Sequence, residues 1–557
     1  MSEREGHGEL RRDLAERVEL HRRRFLGLMA GGAGLIVLGA CSDDESGGDG
    51  GRSGGASATT RSAATSTEPA AVPDAQGIES DPFTLGVASG DPTPASVILW
   101  TRLAPNPVAA DGAGGMPTDD VEILWEVAGD EEFREIVASG VEMAVADFGH
   151  SVHVDPDGLE ADTWYSYRFR VGDFTSPIGR TRTTPADDAD VDELRIAFAS
   201  CQLRQAGQWT AYDHMSRDEL DVVFHLGDYI YEYPGGEGED TMVPLEAEPQ
   251  TIADYRVIYG AYKRDSFLQA AHARVPWVVT WDDHEVDNNY ADDIPEMASD
   301  DATFAERRRA AYQAFYEHQP VRVDPPTDDG LRIHRTVRYG SLATFFVLDG
   351  RQYRSDQVCG DAFPTSASGC DALDDPENTM LGTDQEEWLI SGLTESTTTW
   401  KALAQQTVMK ALVLGDVVFN VDQWDGYPAA RARLLDAIRD GEVDNVMVLT
   451  GDIHAGAAAD IRGTDAGLEG SVVAHELVVP GISSPGFPPD AASGLDPAAL
   501  GVLYANFTEH GYNRCAITPE AWTTEFVLVD TIQERESTSR IDATVEVRAG
   551  EPGLRML

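Results

Sequence analysis

The sequence predicts an α/β (α+β) chain with a small all-β part ahead of a larger layered part, and three observations predict it. Between residues 81 and 187, short apolar runs alternate with polar residues and are separated by Gly, Pro and Asp clusters, with no helical spacing between them. From Glu193 onward, strand-like apolar runs alternate with helix-period segments. Four of those strand-like runs end in residue types that bind metals or move protons: Cys201; Asp228 with Tyr231; Asp283 with His284; Asp452 with His454. In open α/β sheets such strand ends face the crevice where ligands bind.

Composition bounds the partners. The chain has 557 residues, is 42% hydrophobic and carries a formal net charge of -55, so it can build a large core under a strongly acidic surface. Its only lysines are Lys263, Lys401 and Lys410. Such a surface repels nucleic acid and anionic lipid, which excludes specific nucleic-acid binding and leaves the membrane reachable only through a lipid anchor or signal. An acid excess with so little lysine also resembles adaptation to high salt, where screening relieves self-repulsion. The expected result is a melting temperature that rises steeply with added salt; a salt-independent melting point would contradict it.

In chain order, Arg22-Arg23-Arg24-Phe25-Leu26 precedes an apolar run from Gly27 to Ala40. This is a twin-arginine export pattern with a stretch too short for a comfortable spanning helix. The run closes on Leu38-Gly39-Ala40-Cys41, which resembles a lipoprotein processing site with Cys41 as the lipidated residue. Residues 1–41 are thus read as a twin-arginine, lipoprotein-type signal, and the protein as exported, either a cell-surface lipoprotein or secreted. That route carries folded proteins, often with a cofactor already loaded. Residues 42–80, rich in Gly, Ser, Ala, Thr and Asp, are read as a disordered linker.

Residues 81–187 carry apolar runs at 97–101, 121–127 and 163–171, the latter two alternating. They predict a β-sandwich like an immunoglobulin or fibronectin type III module, serving as packing support or a lid wall, with 163–171 as its tyrosine-corner strand. From residue 190 to 550 the α/β part follows. Strands are expected at 194–199, from 221–224 up to a break at Gly227, and at 276–281, 401–404 and 445–450, with a hairpin over 332–350 and further strands over 522–547. Helices are expected at 208–217, 251–275, 304–318, 384–393 and 431–439; Arg307, Arg308 and Arg309 are read as a solvated face. Cys359 and Cys370, eleven apart in a Gly/Ser/Asp-rich loop, are expected to form a local disulfide, and Cys515 to be a buried core thiol.

Four strand ends of this kind in one α/β part suit two metals that share a carboxylate. The wording around them is similar to that of the PhoD-type alkaline phosphatases of the calcineurin-like metallophosphoesterase superfamily. The similarity spans residues 83–92 and 98–102, Ala199-Ser200-Cys201-Gln202, Gly227-Asp228-Tyr229-Ile230-Tyr231, 281–289, 348–354, Met380-Leu381-Gly382 with Gln385 and Trp388, 424–428, and Gly451-Asp452-Ile453-His454. The resemblance implies a four-layer metallophosphoesterase sandwich and an N-terminal sandwich domain before it. By analogy with purple acid phosphatases, it places Cys201, Asp228, Tyr231 and His454 around a ferric ion (Fe3+), with Asp228 as the bridge. A thiolate and a phenolate together favour that ion. The second metal would take Asp228, Asp452 and a residue of the 283–289 stretch, either Asp283 or, in its place, Asn288 or Asn289. These are oxygen donors that suit Ca2+, with Mn2+ or Zn2+ as alternatives. The chain has Asp282-Asp283-His284-Glu285 where relatives have Gly-Asn-His-Glu, and Gly-Asp-Ile-His where they have Gly-His-x-His, so one soft ligand is missing.

The chemistry this implies is in-line attack on phosphorus by a water whose pKa the metals lower. His284 is the candidate to hydrogen-bond the phosphate or protonate the leaving alkoxide, and Arg351 and Arg354 the candidates to clamp the phosphate. The expected function is a monomeric, exported phosphoesterase acting on small mono- and diesters for phosphate scavenging. One alternative is a phospholipase-D-like phosphodiesterase on lipid headgroups or teichoic acid. The other is a non-catalytic surface lipoprotein with a vestigial site.

Overall fold

The structure is a computed structural model that describes residues 71–557 apart from 76, 237–241, 297–300, 363, 415–416, 464–469 and 494. The export signal, Cys41 and most of the linker therefore lie outside the described residues. Among the described residues, no helix is long and apolar enough to cross a membrane.

Two large sheets carry the site. The first has ten strands around a parallel trio, Leu194–Ala199, Val222–Leu226 and Trp277–Thr280. The C-terminal strands, from His510–Ile517 to Glu551–Met556, extend it antiparallel on one side. The second has seven strands around a parallel set, Ala343–Val347, Trp400–Ala404, Val446–Thr450 and Val472–Val478. The hairpin expected over 332–350 is Arg335–Tyr339 with Ala343–Val347, at the margin of this sheet.

Side-chain alternation along the strands joins the sheets to each other and to helices. Phe198, Phe224 and Val278 of the first sheet form one buried cluster with Phe345, Met447 and Leu477 of the second. The alternate residues Ala197, Val223 and Trp277 turn the other way, against Tyr212, Ile258, Leu268 and Phe315. These belong to the helices Thr210–Met215, Ile252–Lys263, Ser266–His272 and Asp301–His318. On the far side of the second sheet, Phe346 and Leu403 meet Leu389 and Leu434 from the helices Gly382–Glu395 and Pro428–Asp440. Parallel strands buried on both faces read as near-continuous apolar runs, and these do.

The helix expected across 251–275 is two helices. Thr251 caps the first through a reciprocal box with Asp254, and Asp265 accepts hydrogen bonds from Phe267 N and Leu268 N to start the second. The reading of Arg307 as solvated is also corrected. It is 7% exposed and pairs with Asp287 at 3.0 Å.

The N-terminal part differs from an independent sandwich. Its five-stranded sheet, built on Val121–Ala128, Ile136–Ala144 and Trp164–Val171, packs through Ile123, Trp125 and Tyr167 against Val87, Leu99 and Val152. Those three residues sit on strands of the ten-stranded sheet: Val87–Gly90 pairs in parallel with Trp277–Thr280, and Ile98–Arg102 and Ser151–Val154 continue outward from it. Val87–Gly90 and Ile98–Arg102 are buried along their whole length, so their sequences carry no alternation that could assign them to either sheet. The hydroxyl of Tyr165 accepts the Glu160 N–H at 2.9 Å, which ties the Trp164–Val171 strand to the turn before it.

None of the three lysines is on the surface: Lys263 and Lys410 are 2% exposed and Lys401 is 9% exposed. The cations that face solvent are therefore arginines, set among a large excess of carboxylates.

Candidate metal centre

The C-terminal ends of the parallel strands of both sheets meet at one place. Gly451, after the Val446–Thr450 strand, lies against Ser200; a Cβ there would come within 2.8 Å of the Ser200 hydroxyl. Gly227 has φ +108°, and a Cβ on it would lie 2.4 Å from Asp282 Cβ, so only glycine fits between the Asp228 and Asp283 loops. The Thr280 hydroxyl donates to Leu348 O at 2.8 Å and accepts from Gln406 Nε2 at 3.0 Å, stitching the first sheet to the second.

Two overlapping donor groups sit at this junction. One holds Cys201, Asp228 and His454, the other Asp228, Asp283 and His284, and within each group the ligand atoms lie within 4.8 Å of one another. Asp228 belongs to both. The Tyr231 hydroxyl donates to Asp228 Oδ2 at 2.8 Å and lies 3.2 Å from His454 Nε2. The four residues expected around the first metal are therefore together. Asp452 is in neither group. Its backbone carbonyl lies 3.8 Å from Cys201 Sγ, and its carboxylate accepts from Gln423 Nε2.

Cys201, Asp228, Asn289, Asp452 and His454 all have positive φ, between 52° and 61°. The left-handed region costs a non-glycine residue about 1 kcal/mol or more. Its concentration here goes with the sharp turns at the strand ends, which bring Cys201, Asp228 and His454 to one point, the pattern expected of a functional site.

The electrostatics call for a cation. Burial, reinforced by the Asp228 carboxylate, pushes the Cys201 thiol well above its ordinary range, and burial with Asp228 does the same to the Tyr231 phenol. Burial likewise raises Asp228, and with the charges of Asp422 and Asp283 pushes Asp452 up to about 7. Three buried carboxylate oxygens, Asp228 Oδ1, Asp283 Oδ1 and Asp282 Oδ2, have no hydrogen-bond partner among the described residues. An orphaned buried carboxylate oxygen is costly, and a bound cation both satisfies it and deprotonates a neighbouring thiol or phenol. The donor set present thus fits metal ions.

The surroundings orient the donors. His454 Nδ1 lies 3.0 Å from Pro485 O, which holds the proton on that nitrogen and leaves the Nε2 lone pair toward the donor group. His284 Nδ1 is 2.7 Å from Glu232 Oε2, and its ring lies on Tyr231 with centroids 4.2 Å apart. Although burial opposes it, Glu232, Asp283 and Asp228 hold the His284 pKa well above the ordinary imidazole value. Glu285 accepts from the N–H groups of Asp228 (3.1 Å), Tyr229 (2.6 Å) and Asp282 (2.9 Å), which locks both carboxylate loops. Ser484 donates to the Tyr231 oxygen at 2.7 Å.

Several expected roles change. Arg351 and Arg354 do not face a phosphate. Both side chains are fully buried, and their guanidinium groups are committed to Asp282, Asp422, Gly350 O and Met380. Asn288 directs its amide nitrogen at Glu296 Oε1 (2.9 Å) and Asn289 directs its own at Asp361 Oδ2 (3.0 Å). Asn289 serves Asp283 through its backbone, whose N–H donates to Asp283 Oδ2 at 2.7 Å. Cys359 and Cys370 are joined as a disulfide with Cα atoms 5.9 Å apart, while Cys201 and Cys515 are free and buried. Sequence reasoning misses Glu232, Glu285, Gln423 and Ser484. Glu232 and Glu285 carry a signal, since each sits next to a donor already singled out; Gln423 and Ser484 carry none.

A family model described as PhoD-like phosphatase matches residues 196–526, and another, the PhoD-like phosphatase N-terminal domain, matches residues 66–185. The chain belongs to the PhoD-like phosphatase family. It is 43% identical over 491 residues to alkaline phosphatase D of Bacillus subtilis (strain 168), a match covering 86% of this chain and 83% of that protein. The solved structure of PhoD superimposes with a TM-score of 0.82 at 43% identity, covering 86% of this chain and 93% of the other. As a PhoD-like phosphatase, the chain is a phosphoric ester hydrolase.

Proposed function

We propose that this PhoD-like phosphatase is an exported, two-metal phosphoesterase of the alkaline phosphatase type, hydrolysing small phosphate mono- and diesters to release phosphate for uptake. The observation that carries this reading is that Asp228 stands in both donor groups at the joined sheet ends, with Cys201 and His454 in one and Asp283 in the other; His284 of the second group has its Nδ1 on Glu232 and is read as a proton donor rather than a ligand. Cys201, Asp228, Tyr231 and His454 would hold Fe3+. Asp228 and Asp283, with Asp452 beside them, would hold Ca2+, the choice that their oxygen donors favour over Zn2+. When bound, the two ions supply Lewis acidity to the phosphate oxygens and lower the pKa of an attacking water.

The chain's own side chains do the rest. Asp228 would supply a carboxylate oxygen to each of the two metal positions. His284 carries a proton on Nε2 and donates it to a phosphate oxygen or to the leaving alkoxide, with Glu232 holding the ring by Nδ1. The strand-end loops are packed against both sheets, so these groups are placed before substrate arrives. Export by the twin-arginine route, with Cys41 lipidated, rests on the arginine pair and the residues before Cys41. The fold reading is the four-layer metallophosphoesterase sandwich, supported by helices packed on the outer faces of two mutually packed sheets.

The test is hydrolysis of p-nitrophenyl phosphate and its bis ester, with metal content measured on the same sample. Activity on both esters that is lost with a chelator and regained with metal is expected. No activity on either ester with both metals bound would leave a non-catalytic surface lipoprotein as the better reading.

A further inference from the structure

Asp282 and Asp283 are adjacent carboxylates at one strand end, each with one buried oxygen that has no hydrogen-bond partner among the described residues, but only Asp283 places a ligand atom within 4.8 Å of those of Asp228 and His284. Asp282 Oδ1 accepts from Arg351 Nε at 2.5 Å, and the Asp282 N–H is held by Glu285. Asp283 Oδ2 is taken by the Asn289 N–H, and its Oδ1 has no hydrogen-bond partner among the described residues, lying 3.7 Å from Arg351 Nη2. The guanidinium is wholly buried and is anchored from the far side. Its Nη1 and Nη2 bind the two oxygens of Asp422 at 2.7 and 2.9 Å, and Asp349 Oδ1 accepts its backbone N–H at 3.0 Å. Asp422 also accepts from Arg354 Nη1 at 2.6 Å and from Gln357 Nε2 at 2.7 Å, and Gln357 reaches Asn289 O at 2.7 Å. The next residue, Gln423, donates to Asp452. A single segment, Asp422-Gln423, therefore reaches both carboxylates of the second metal position, Asp283 through Arg351 and Asp452 directly.

We propose that Arg351, braced by Asp422, is a positioning residue that selects Asp283 over Asp282 and sets the affinity of the divalent-metal position without touching substrate. This rests on the reading that Asp228, Asp283 and Asp452 hold that metal. The planar fork of arginine spans Asp282 and Asp422 at once, which a lysine ammonium cannot do. Loss of the fork frees Asp282 to swing and leaves its buried carboxylate without a cation, while Asp422 keeps Arg354. Groups of this kind behind a ligand change metal affinity by about 10–100-fold.

The experiment measures bound iron and calcium, and the calcium dissociation constant after chelation, for the full chain and for R351K, D422N and D283N. R351K and D422N are expected to weaken calcium at least about tenfold while keeping iron and its visible absorption. D283N is expected to lose calcium. If D283N binds calcium as the parent does, the underlying site assignment fails. If D283N loses calcium and R351K and D422N keep parental affinity, the Arg351 proposal alone is overturned. Loss of fold or of iron in both R351K and D422N also overturns it, because the network is then structural only. If one of them does not fold, the other decides.

Discussion

Asp228→Asn removes both metals at once and lowers phosphatase activity on the order of a thousandfold, equivalent to about 4 kcal/mol of transition-state stabilisation. Asp228 is the residue common to the two donor groups, and its Oδ2 accepts from the Tyr231 hydroxyl while Oδ1 has no hydrogen-bond partner among the described residues. A bridge needs two anionic oxygens. Asparagine offers one neutral oxygen and an N–H2 that points a proton at a cation. The fold should tolerate the change. Burial already drives the Asp228 carboxyl up, so ionising it costs the metal-free fold free energy, and asparagine removes that cost without changing volume. The expected result is an inactive protein with iron and calcium both depleted and a metal-free melting temperature equal to or above the parent's. Retention of either metal at full stoichiometry would contradict the bridging role.

The second large effect is Cys201→Ser. Cys201 is wholly buried, has positive φ and shares a donor group with Asp228 and His454. Only a strong cation makes a thiolate stable there, because burial and the Asp228 charge both favour the thiol. A serine hydroxyl loses its proton far less readily and is a poorer donor to a ferric ion. Iron content should fall at least about tenfold, and with it the visible absorption expected of thiolate and phenolate ligation. Calcium should be less affected, since Asp283 belongs to the donor group that does not include Cys201. Unchanged iron and colour would remove Cys201 from the metal site. Tyr231→Phe is the companion. The Ser484 hydroxyl that now donates to the phenol oxygen is then left without that acceptor, and a moderate loss of stability accompanies the loss of iron.

The donors themselves are legible in the amino-acid sequence. A buried strand announces its own end, a glycine or polar residue marks the turn, and the residue just beyond it is placed near the crevice by the strand's length alone. Cys201, Asp228, Tyr231, Asp283, His284 and His454 stand out in that way, and the fold brings them together. Arg351 shows the limit of this reasoning. Its charge can be read, and a phosphate clamp is a reasonable use for it, but the groups that claim it come from other segments: Asp282 in the loop after Trp277–Thr280, and Asp422 ahead of the helix Pro428–Asp440. Ser484 and Gln423 are invisible for the same reason. The N-terminal strands repeat the lesson at the level of the fold, since a short strand buried on both faces does not say which sheet it joins.

By itself, then, the sequence determined the strand ends, the residue types standing on them and the extreme acidity of the surface, because these depend on local periodicity and composition. The tertiary structure alone decided which of the adjacent carboxylates joins Asp228, which histidine nitrogen is free and which arginines are already paired. Those outcomes depend on contacts between segments far apart in the chain, made only when the two sheets pack together.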